Sequence, residues 1–343
     1  MTPTYWVELS GDAAELGRRE LESVMAARFP EAPPPREVPG RPGVQEVEVP
    51  DAQTLAFPLA FSRRILAPLA EGPVTRLANA LSREPDRGTI AVRLFPGDRL
   101  PEALAAGVGK GYKRDEGRRI DLRHPKTTYV VLRGAGREEY VLCREETRTG
   151  RAFLRQLRPG DLPFRKPVTL SPLLARALVN LAAIPPGGSL LDPFCGTGAI
   201  GLDSGILGYR VIVSDKDGRM VRGTLTNLTR SSIVPTAVAQ CDVSGVCEAL
   251  EGHLPVDAVV TDPPYGRASS THGERAMDVV ENALHVLRSV IRPGGRFVFM
   301  LPVPTMPEKA LEGWTAVYPP LPLRVHSSLT RWVYVLRQTW DGA

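Results

Sequence analysis

Residues 190–201 combine an acidic side chain with a glycine-rich turn, in the order Leu-Leu-Asp-Pro-Phe-Cys-Gly-Thr-Gly-Ala-Ile-Gly. A buried strand that breaks into such a turn and restarts as a helix is typical of a nucleotide site. Glycines let the backbone approach the ligand, and the helix N-terminus offers free N–H groups. Gly196, Gly198 and Gly201 also satisfy the G-x-G-x-x-G pattern of dinucleotide dehydrogenases. Asp192 argues against a dinucleotide, because its carboxylate would repel a pyrophosphate but could receive an ammonium group.

A second acidic motif, Asp262-Pro263-Pro264-Tyr265, follows the largely apolar segment 257–261. Open α/β sheets bind ligands at the carboxyl ends of their strands, so a strand here would place the motif at a ligand site. The motif resembles the D/N-P-P-Y motif of amino-directed methyltransferases. Residues 192–198 resemble motif I of the S-adenosylmethionine-dependent methyltransferases, in the D-P-F-C-G-T-G form common among RNA-modifying members.

Methyl transfer to an amine explains the residue types in the second motif. An exocyclic amine on a purine is a poor nucleophile, because its lone pair is delocalised into the ring. The Asp262 carboxylate and the Pro263 carbonyl can accept its N–H bonds and expose that lone pair, while two prolines stiffen the backbone. Tyr265 offers an aromatic face on which an extruded base can stack. The predicted catalytic residues are therefore Asp262, Pro263, Pro264 and Tyr265.

Acidic residues at two further strand ends complete the predicted cofactor site. Asp215 ends the strand 209–214, where an acid can accept hydrogen bonds from ribose hydroxyls. Asp242 follows the strand 237–240, and the resemblance implies that an acid at this position receives the adenine amino group. Asp192 could receive the ammonium of a methionine moiety. The residues predicted to bind S-adenosylmethionine are Asp192, Phe194, Gly196, Thr197, Gly198, Asp215 and Asp242.

The composition indicates a multidomain protein with substantial cores. A length of 343 residues favours two or three domains, and the hydrophobic content is 43%. Neither a signal peptide nor an apolar run of membrane-spanning length is evident, so we expect a cytoplasmic protein with no membrane partner. The four cysteines show no C-x-x-C pairing, so neither a disulfide framework nor a metal site is expected.

The net charge of +5 is unevenly distributed along the chain. Residues 1–167 contain 28 Lys and Arg against 23 Asp and Glu, whereas residues 168–343 contain 15 of each. The whole basic excess therefore lies in the first half. This asymmetry indicates a first half that meets a polyanion and a second half that performs the chemistry.

The first half is interpreted as two small domains. Strand and helix patterns alternate through residues 1–72 and indicate a ferredoxin-like α+β domain. In residues 73–146, the segment 120–125 (Ile-Asp-Leu-Arg-His-Pro) and the strand after it resemble the core of a THUMP domain, an RNA-binding module of tRNA-modifying enzymes. The resemblance implies a basic face for tRNA, with the phosphate ligands Lys110, Lys113, Arg114, Arg118 and Arg119. A solvated basic loop is the alternative interpretation.

The second half is interpreted as a methyltransferase domain. Residues 147–167 are a polar linker, and residues 168–343 form a Rossmann-like α/β domain with a mostly parallel sheet and a final antiparallel strand. As a whole, the chain resembles the archaeal tRNA guanosine-10 N2-methyltransferases. This implies transfer of one or two methyl groups from S-adenosylmethionine to the N2 amine of a guanosine in tRNA. Some relatives work with a small zinc-binding activator protein, which is a second candidate partner beside tRNA.

Several other functions share part of this pattern. The motifs do not clearly distinguish methylation of guanosine 10 from N2-guanine methylation at another tRNA site, such as the acceptor stem. An N6-adenine methyltransferase shares D-P-P-Y but does not predict a basic THUMP-like half, and protein glutamine methyltransferases usually begin the motif with Asn. A non-catalytic RNA-binding protein would have lost some of the motif residues, all of which are present: Asp192, Asp215, Asp262 and Tyr265. A dehydrogenase would require a hydride-transfer site, and none is evident.

Overall fold

The computed structural model describes residues 2–85, 88–95, 98, 100, 102–110, 119–134, 136, 138–155, 159–167, 169–264, 276–326 and 329–339. The chain forms two compact units. The first comprises Met1–Gly11, Glu31–Phe57 and Ser62–Thr149, and the second comprises Asp12–Pro30, Pro58–Phe61 and Gly150–Ala343. Helix α1 (Ala14–Arg28) therefore groups with the second unit.

The first unit is built on one continuous mixed sheet. Its strands are β1 (Thr4–Leu9), β2 (Arg36–Glu37), β3 (Val44–Glu48), β4 (Ser62–Gly72), β5 (Thr89–Leu94), β6 (Arg119–Ile120), β7 (Thr127–Arg133) and β8 (Tyr140–Arg148). They lie in the order β2-β3-β1-β4-β8-β7-β5-β6. Because β4 pairs with β8, strands from both halves of residues 1–146 share this sheet. The division into a ferredoxin-like domain (1–72) and a THUMP domain (73–146) stays a prediction.

Among the described residues of the first unit, three helices accompany the sheet: α2 (Ala52–Ala56), α3 (Val74–Arg83) and α4 (Glu102–Gly109). Asp51 begins α2 by accepting a hydrogen bond from the Thr54 N–H at 2.7 Å, as expected for an N-cap residue. Leu77 and Leu81 of α3 are buried against Tyr129 of β7. Alternate residues along each strand point to the same side of the sheet, which gives it an apolar face. The helices cover this face.

The second unit contains a Rossmann-like sheet, as the sequence predicts. Its strands are β9 (Ser189–Asp192), β10 (Arg210–Ser214), β11 (Ala237–Ala239), β12 (Val256–Val260), β13 (Ile291–Leu301), β14 (Trp314–Ala316), β15 (Leu321–His326) and β16 (Leu329–Gln338). The strands β11-β10-β9-β12-β13 run parallel in that order. Strand β16 joins β13 antiparallel, and β14 and β15 both pair with β16.

The helices of the second unit, in addition to α1, are α5 (Arg151–Leu154), α6 (Pro172–Leu181), α7 (Ala199–Ile206), α8 (Gly218–Arg230), α9 (Val246–Ala249) and α10 (Ala276–Leu287). Helix α6 begins with Ser171 as the N-cap and Pro172 in the first turn, two residue types that favour these positions. The Ser171 hydroxyl accepts a hydrogen bond from the Leu174 N–H at 3.4 Å. Within the described ranges, no helix is long and apolar enough to cross a membrane.

Glu20 fixes helix α1 within the second unit. Its side chain is fully buried and accepts hydrogen bonds from the N–H groups of Ala60 (2.9 Å) and Phe61 (2.7 Å). The amide Nδ2 of Asn180 on α6 donates a third, at 2.7 Å. Burial raises the pKa of the Glu20 carboxyl to about 7, although the three donors favour its ionised form. One side chain therefore satisfies three buried donors that come from two separate segments.

Replacing Glu20 with alanine leaves those donors without this acceptor. An unsatisfied buried donor costs about 1–3 kcal/mol, so we expect Glu20→Ala to lower the free energy of unfolding by about 3 kcal/mol or more in urea denaturation. The matched control is Glu22→Ala on the same helix, whose half-buried carboxylate pairs with Arg18 and Arg19. That change should cost less than about 1 kcal/mol. Equal losses in the two variants would contradict the assigned role.

Candidate active site

Three carboxylates meet at one edge of the second sheet. Asp192 ends β9, Asp215 directly follows β10, and Asp262 follows β12 by two residues. Because β9 pairs in parallel with both β10 and β12, the carboxyl ends of these strands lie side by side. This is the edge at which open α/β sheets bind ligands.

Asp192 is the most deeply buried of the three. Its residue is 2% exposed, and its Oδ1 accepts hydrogen bonds from Thr261 Oγ1 at 2.7 Å and from the Phe194 N–H at 3.2 Å. Burial raises the pKa of the Asp192 carboxyl to about 7, and the nearby charges of Asp215 and Asp262 add to the rise. No Lys or Arg among the described residues forms an ion pair with it. The position therefore favours the arrival of a cationic group.

The glycine-rich turn after Asp192 adopts conformations that side chains rarely tolerate. Gly196 has a φ of +52° and Gly198 a φ of +81°, and Gly198 is the N-cap of α7. A Cβ atom on Gly198 would lie 2.8 Å from Thr224 Cγ2. Phe194 is half-buried and Thr197 is buried within the same turn. The turn thus brings backbone groups, rather than side chains, to the edge of the sheet.

Asp215 holds this turn in place. Its Oδ2 accepts a hydrogen bond from the Gly196 N–H at 3.0 Å, and its Oδ1 accepts one from the Asp217 N–H at 2.9 Å. Burial raises the pKa of the Asp215 carboxyl, while the two backbone donors lower it. Each carboxylate oxygen retains a lone pair for a further donor. Asp215 can therefore orient the turn and still accept a hydroxyl group.

Asp242 is placed differently from the other acidic residues. It is exposed, it follows β11, and its Oδ1 accepts hydrogen bonds from the Ser244 N–H at 3.2 Å and from Ser244 Oγ at 3.1 Å. These bonds cap a short 3-10 turn over residues 243–245. The capping role is compatible with a further acceptor contact at the same side chain.

Asn227 and Phe164 support the glycine-rich turn, and sequence reasoning missed both. Asn227 Nδ2 donates to the carbonyls of Thr197 (2.8 Å) and Phe164 (2.7 Å), and Asn227 Oδ1 accepts from the Phe164 N–H (3.0 Å). A Cβ atom on Gly223 would lie 2.1 Å from the Phe164 ring, so glycine is required there. The segment predicted as a polar linker therefore contributes to the site. Phe164, an aromatic residue in a polar stretch, was the available signal.

Asp262 is paired with a cation from the last strand. Arg331 Nη1 of β16 donates to Asp262 Oδ2 at 3.1 Å, and both side chains are mostly buried, at 17% and 20% exposed. Pro263 is buried and Pro264 is half-buried. No described residue donates a hydrogen bond to the Pro263 carbonyl. Tyr265 lies outside the described residues. Local sequence patterns do not predict the pairing of Arg331 with Asp262, because the two residues are 69 positions apart.

The predicted RNA ligands lie in the first unit. Lys110 ends α4 and Arg119 begins β6, and both residues are exposed. Lys113, Arg114 and Arg118 lie outside the described residues. In the part of the chain that is described, no group of three or more His, Cys, Asp or Glu residues could hold a metal ion.

The raised pKa of Asp192 predicts a pH-dependent stability for the protein without ligand. A carboxyl whose pKa is about 7 when folded and about 4 when unfolded stabilises the folded state at low pH, and this contribution is lost as the pH rises through about 7. Asp192→Asn retains the acceptor oxygen for Thr261 and Phe194 but does not titrate. We therefore expect the variant to gain stability relative to the original protein as the pH is raised from about 4 to 8, by a few kcal/mol.

The measurement is urea denaturation of both proteins across that pH range. Glu20 titrates in both, so its contribution cancels in the difference between them. A difference that does not change with pH would show that Asp192 is ionised in the folded protein throughout.

Comparison with known proteins agrees with this geometry. The model of the RMKL-like methyltransferase domain family (UPF0020) matches residues 159–331. A tRNA (guanine(10)-N2)-dimethyltransferase of Methanothermobacter thermautotrophicus is 33% identical over 249 residues, which are 73% of this chain and 72% of that protein. The protein of the same name from Methanocaldococcus jannaschii is 36% identical over 192 residues, 55% of this chain and 52% of that protein.

Solved structures show the same fold. The crystal structure of TrmN from Thermus thermophilus superposes with a TM-score of 0.57 and 22% sequence identity, covering 98% of this chain and 99% of that chain. The predicted α/β class with a Rossmann-like methyltransferase sheet is thereby confirmed. The acidic residues at the strand ends and the glycine-rich turn agree with the family match. We conclude that this chain is a methyltransferase that belongs to the RMKL-like methyltransferase domain family (UPF0020).

Proposed function

We propose that this methyltransferase transfers methyl groups from S-adenosylmethionine to the N2 amine of a guanosine in tRNA, and that the target is guanosine 10. The observation that carries the proposal is the Asp262–Pro263 segment at the end of β12, where Arg331 pairs with Asp262 and the neighbouring Thr261 donates to the buried Asp192. The names of the relatives from Methanothermobacter and Methanocaldococcus support the substrate and the position.

The residues present fit S-adenosylmethionine. The Asp192 carboxylate is buried without an ion-pair partner among the described residues, and the ammonium of a methionine moiety supplies the missing charge. Asp215, at the tip of β10, would accept hydrogen bonds from the ribose hydroxyls, and Asp242, after β11, would accept one from the adenine amine. The remaining ligands are the turn residues Phe194, Gly196, Thr197 and Gly198. When bound, this cofactor supplies an electrophilic methyl group on a sulfonium.

The Asp262 carboxylate and the Pro263 carbonyl then act on the amine of the guanine. Each would accept one N–H bond, which would turn the nitrogen lone pair out of conjugation with the ring and leave it available for attack. Arg331 donates to Oδ2 of Asp262 and so orients this carboxylate. A carboxylate has lone pairs for more than one donor, so the ion pair is compatible with an amine contact. The methylated nitrogen is strongly acidic while it is positively charged, so its proton leaves readily to Asp262 or to water. Alignment therefore contributes more than acid–base catalysis.

The first unit is proposed to bind the tRNA. A THUMP-like domain in residues 73–146 would present the basic loop, including the exposed Lys110 and Arg119, to the phosphate backbone. The ferredoxin-like domain in residues 1–72 would accompany it, as the resemblance implies. The zinc-binding activator protein and the cytoplasmic location stay predictions.

Asp262→Ala tests the catalytic assignment. The variant lacks one of the two acceptors for the amine, so we expect methyl transfer from labelled cofactor to unmodified tRNA to fall at least about 100-fold, with S-adenosylhomocysteine binding retained. Because Arg331 acts through Asp262, adding Arg331→Met to this variant should cause little further loss. The control is Asp278→Ala, which removes an exposed acid on α10.

Nucleoside and position analysis of the methylated tRNA completes this test. N2-methylguanosine or N2,N2-dimethylguanosine at position 10 is the expected product. The same nucleoside in the acceptor stem would move the target site, and methyladenosine would refute the assignment. Full activity of Asp262→Ala would remove that residue from the mechanism.

Charge reversal in the basic loop tests the RNA surface. Changing Lys110, Lys113 and Arg114 to Glu should weaken tRNA binding at least tenfold, and should flatten its dependence on log salt concentration by about 0.9 for each phosphate that the variant no longer neutralises. Filter binding over a series of salt concentrations measures both. The matched control reverses three exposed cations on other surfaces, Arg36, Arg230 and Lys309. Similar behaviour of the two triple variants would place the RNA elsewhere.

A further inference from the structure

A cavity lies at the edge of the Rossmann-like sheet opposite the active site. Its volume is about 460 Å³, and it opens where β9, β12 and the parallel part of β13 begin. Its polar lining includes Asp257, Arg292, Arg296 and Arg337. Asp192 and Asp262 of the active site lie at the other ends of β9 and β12, so this cavity is separate from the site of methyl transfer.

The one carboxylate among these lining residues is already neutralised. Asp257 Oδ2 accepts hydrogen bonds from the Ser189 N–H at 2.6 Å and from Ser189 Oγ at 2.7 Å. Its Oδ1 forms an ion pair with Arg292. The charges of Asp257 and Arg292 therefore cancel, and the net charge of the cavity depends on the two other arginines, Arg296 and Arg337.

Arg296 and Arg337 face each other across the antiparallel pair β13–β16. Arg296 Nη1 donates to the Leu181 carbonyl at 2.8 Å and to Ser23 Oγ at 3.0 Å, and both acceptors are neutral. No carboxylate of the described residues forms an ion pair with Arg296 or Arg337. Like charges directly opposite on neighbouring strands repel each other. The cavity thus holds two uncompensated positive charges.

The bond from Arg296 to Leu181 has a structural role, because it satisfies a carbonyl in the last turn of α6. This role uses only Nη1. It leaves the other nitrogen atoms of Arg296 without an acceptor among the described residues, and it does not involve Arg337. Burial lowers the pKa of Arg296, Tyr318 partly offsets this, and Arg337 lowers the pKa further. An anion between the two arginines would reduce their mutual repulsion.

We infer that the cavity binds a phosphate group through Arg296 and Arg337. Two guanidinium groups offer the planar, paired donors that match phosphate oxygens, and the volume exceeds that of a single inorganic ion. The phosphate belongs either to the backbone of an RNA or to a small phosphate compound. The inference does not depend on the proposed methyl transfer, because it rests on the other edge of the sheet.

Inorganic pyrophosphate is the probe for the site, used with the full-length protein at constant ionic strength. We expect pyrophosphate to raise the Tm of the original protein, and Arg337→Gln to weaken its binding at least tenfold in isothermal titration calorimetry. Arg337 is exposed, so this variant should fold normally. Arg230→Gln, an exposed arginine on α8 outside the cavity, is the control and should bind as the original does. Absence of binding, or equal binding by the Arg337 variant, would overturn the inference.

Filter binding of bulk tRNA to the same proteins then identifies the source of the phosphate. If the site takes a backbone phosphate, Arg337→Gln should lower the affinity for tRNA several-fold and reduce the salt slope by about 1. Unchanged tRNA binding together with weakened pyrophosphate binding would assign the site to a small phosphate compound. Neither the pyrophosphate experiment nor the tRNA binding experiment measures methyl transfer. Both results can therefore be interpreted even if the proposed methyl transfer activity is wrong.

Discussion

The burial of the Asp192 carboxylate is the constraint on which the site depends. A charge at this depth is costly unless it is hydrogen-bonded and met by a cation. Thr261 and the Phe194 N–H supply hydrogen bonds, and thereby tie β9 to the end of β12 and to the glycine-rich turn. The pKa of about 7 shows that these bonds do not fully offset burial. Part of the free-energy cost of burying the charged Asp192 carboxylate therefore remains in the folded protein. A bound cationic ligand would offset it.

Opposite charges concentrate at the two edges of the same sheet. The edge formed by the strand ends carries Asp192, Asp215 and Asp262, and the other edge carries Arg296 and Arg337. Parallel strands produce this segregation, because all their carboxyl ends meet at one edge and all their amino ends at the other. The antiparallel strand β16 connects the two. It brings Arg331 to Asp262 at one edge and Arg337 to Arg296 at the other.

Local signals predicted the elements that depend on neighbouring residues. Apolar runs that end in acidic motifs indicated β9 and β12. Elements defined by distant partners were predicted less well. Strand β13 begins at Ile291, where it pairs with Val256, and the short β14 exists through pairing with the end of β16. Helix α1 groups with the second unit through Glu20, whose partners are about 40 and 160 residues away.

The sequence by itself determined which chemical groups are present and the order in which strands deliver them. The motifs around Asp192 and Asp262 carried that information, because strand, turn and helix signals act over a few residues. Only the tertiary structure decided what each group contacts. Three of these contacts involve residues far apart in the chain: the pairing of Arg331 with Asp262, the support of the glycine-rich turn by Asn227, and the placement of Arg296 opposite Arg337. Such contacts follow from strand order and burial, which local sequence patterns do not encode.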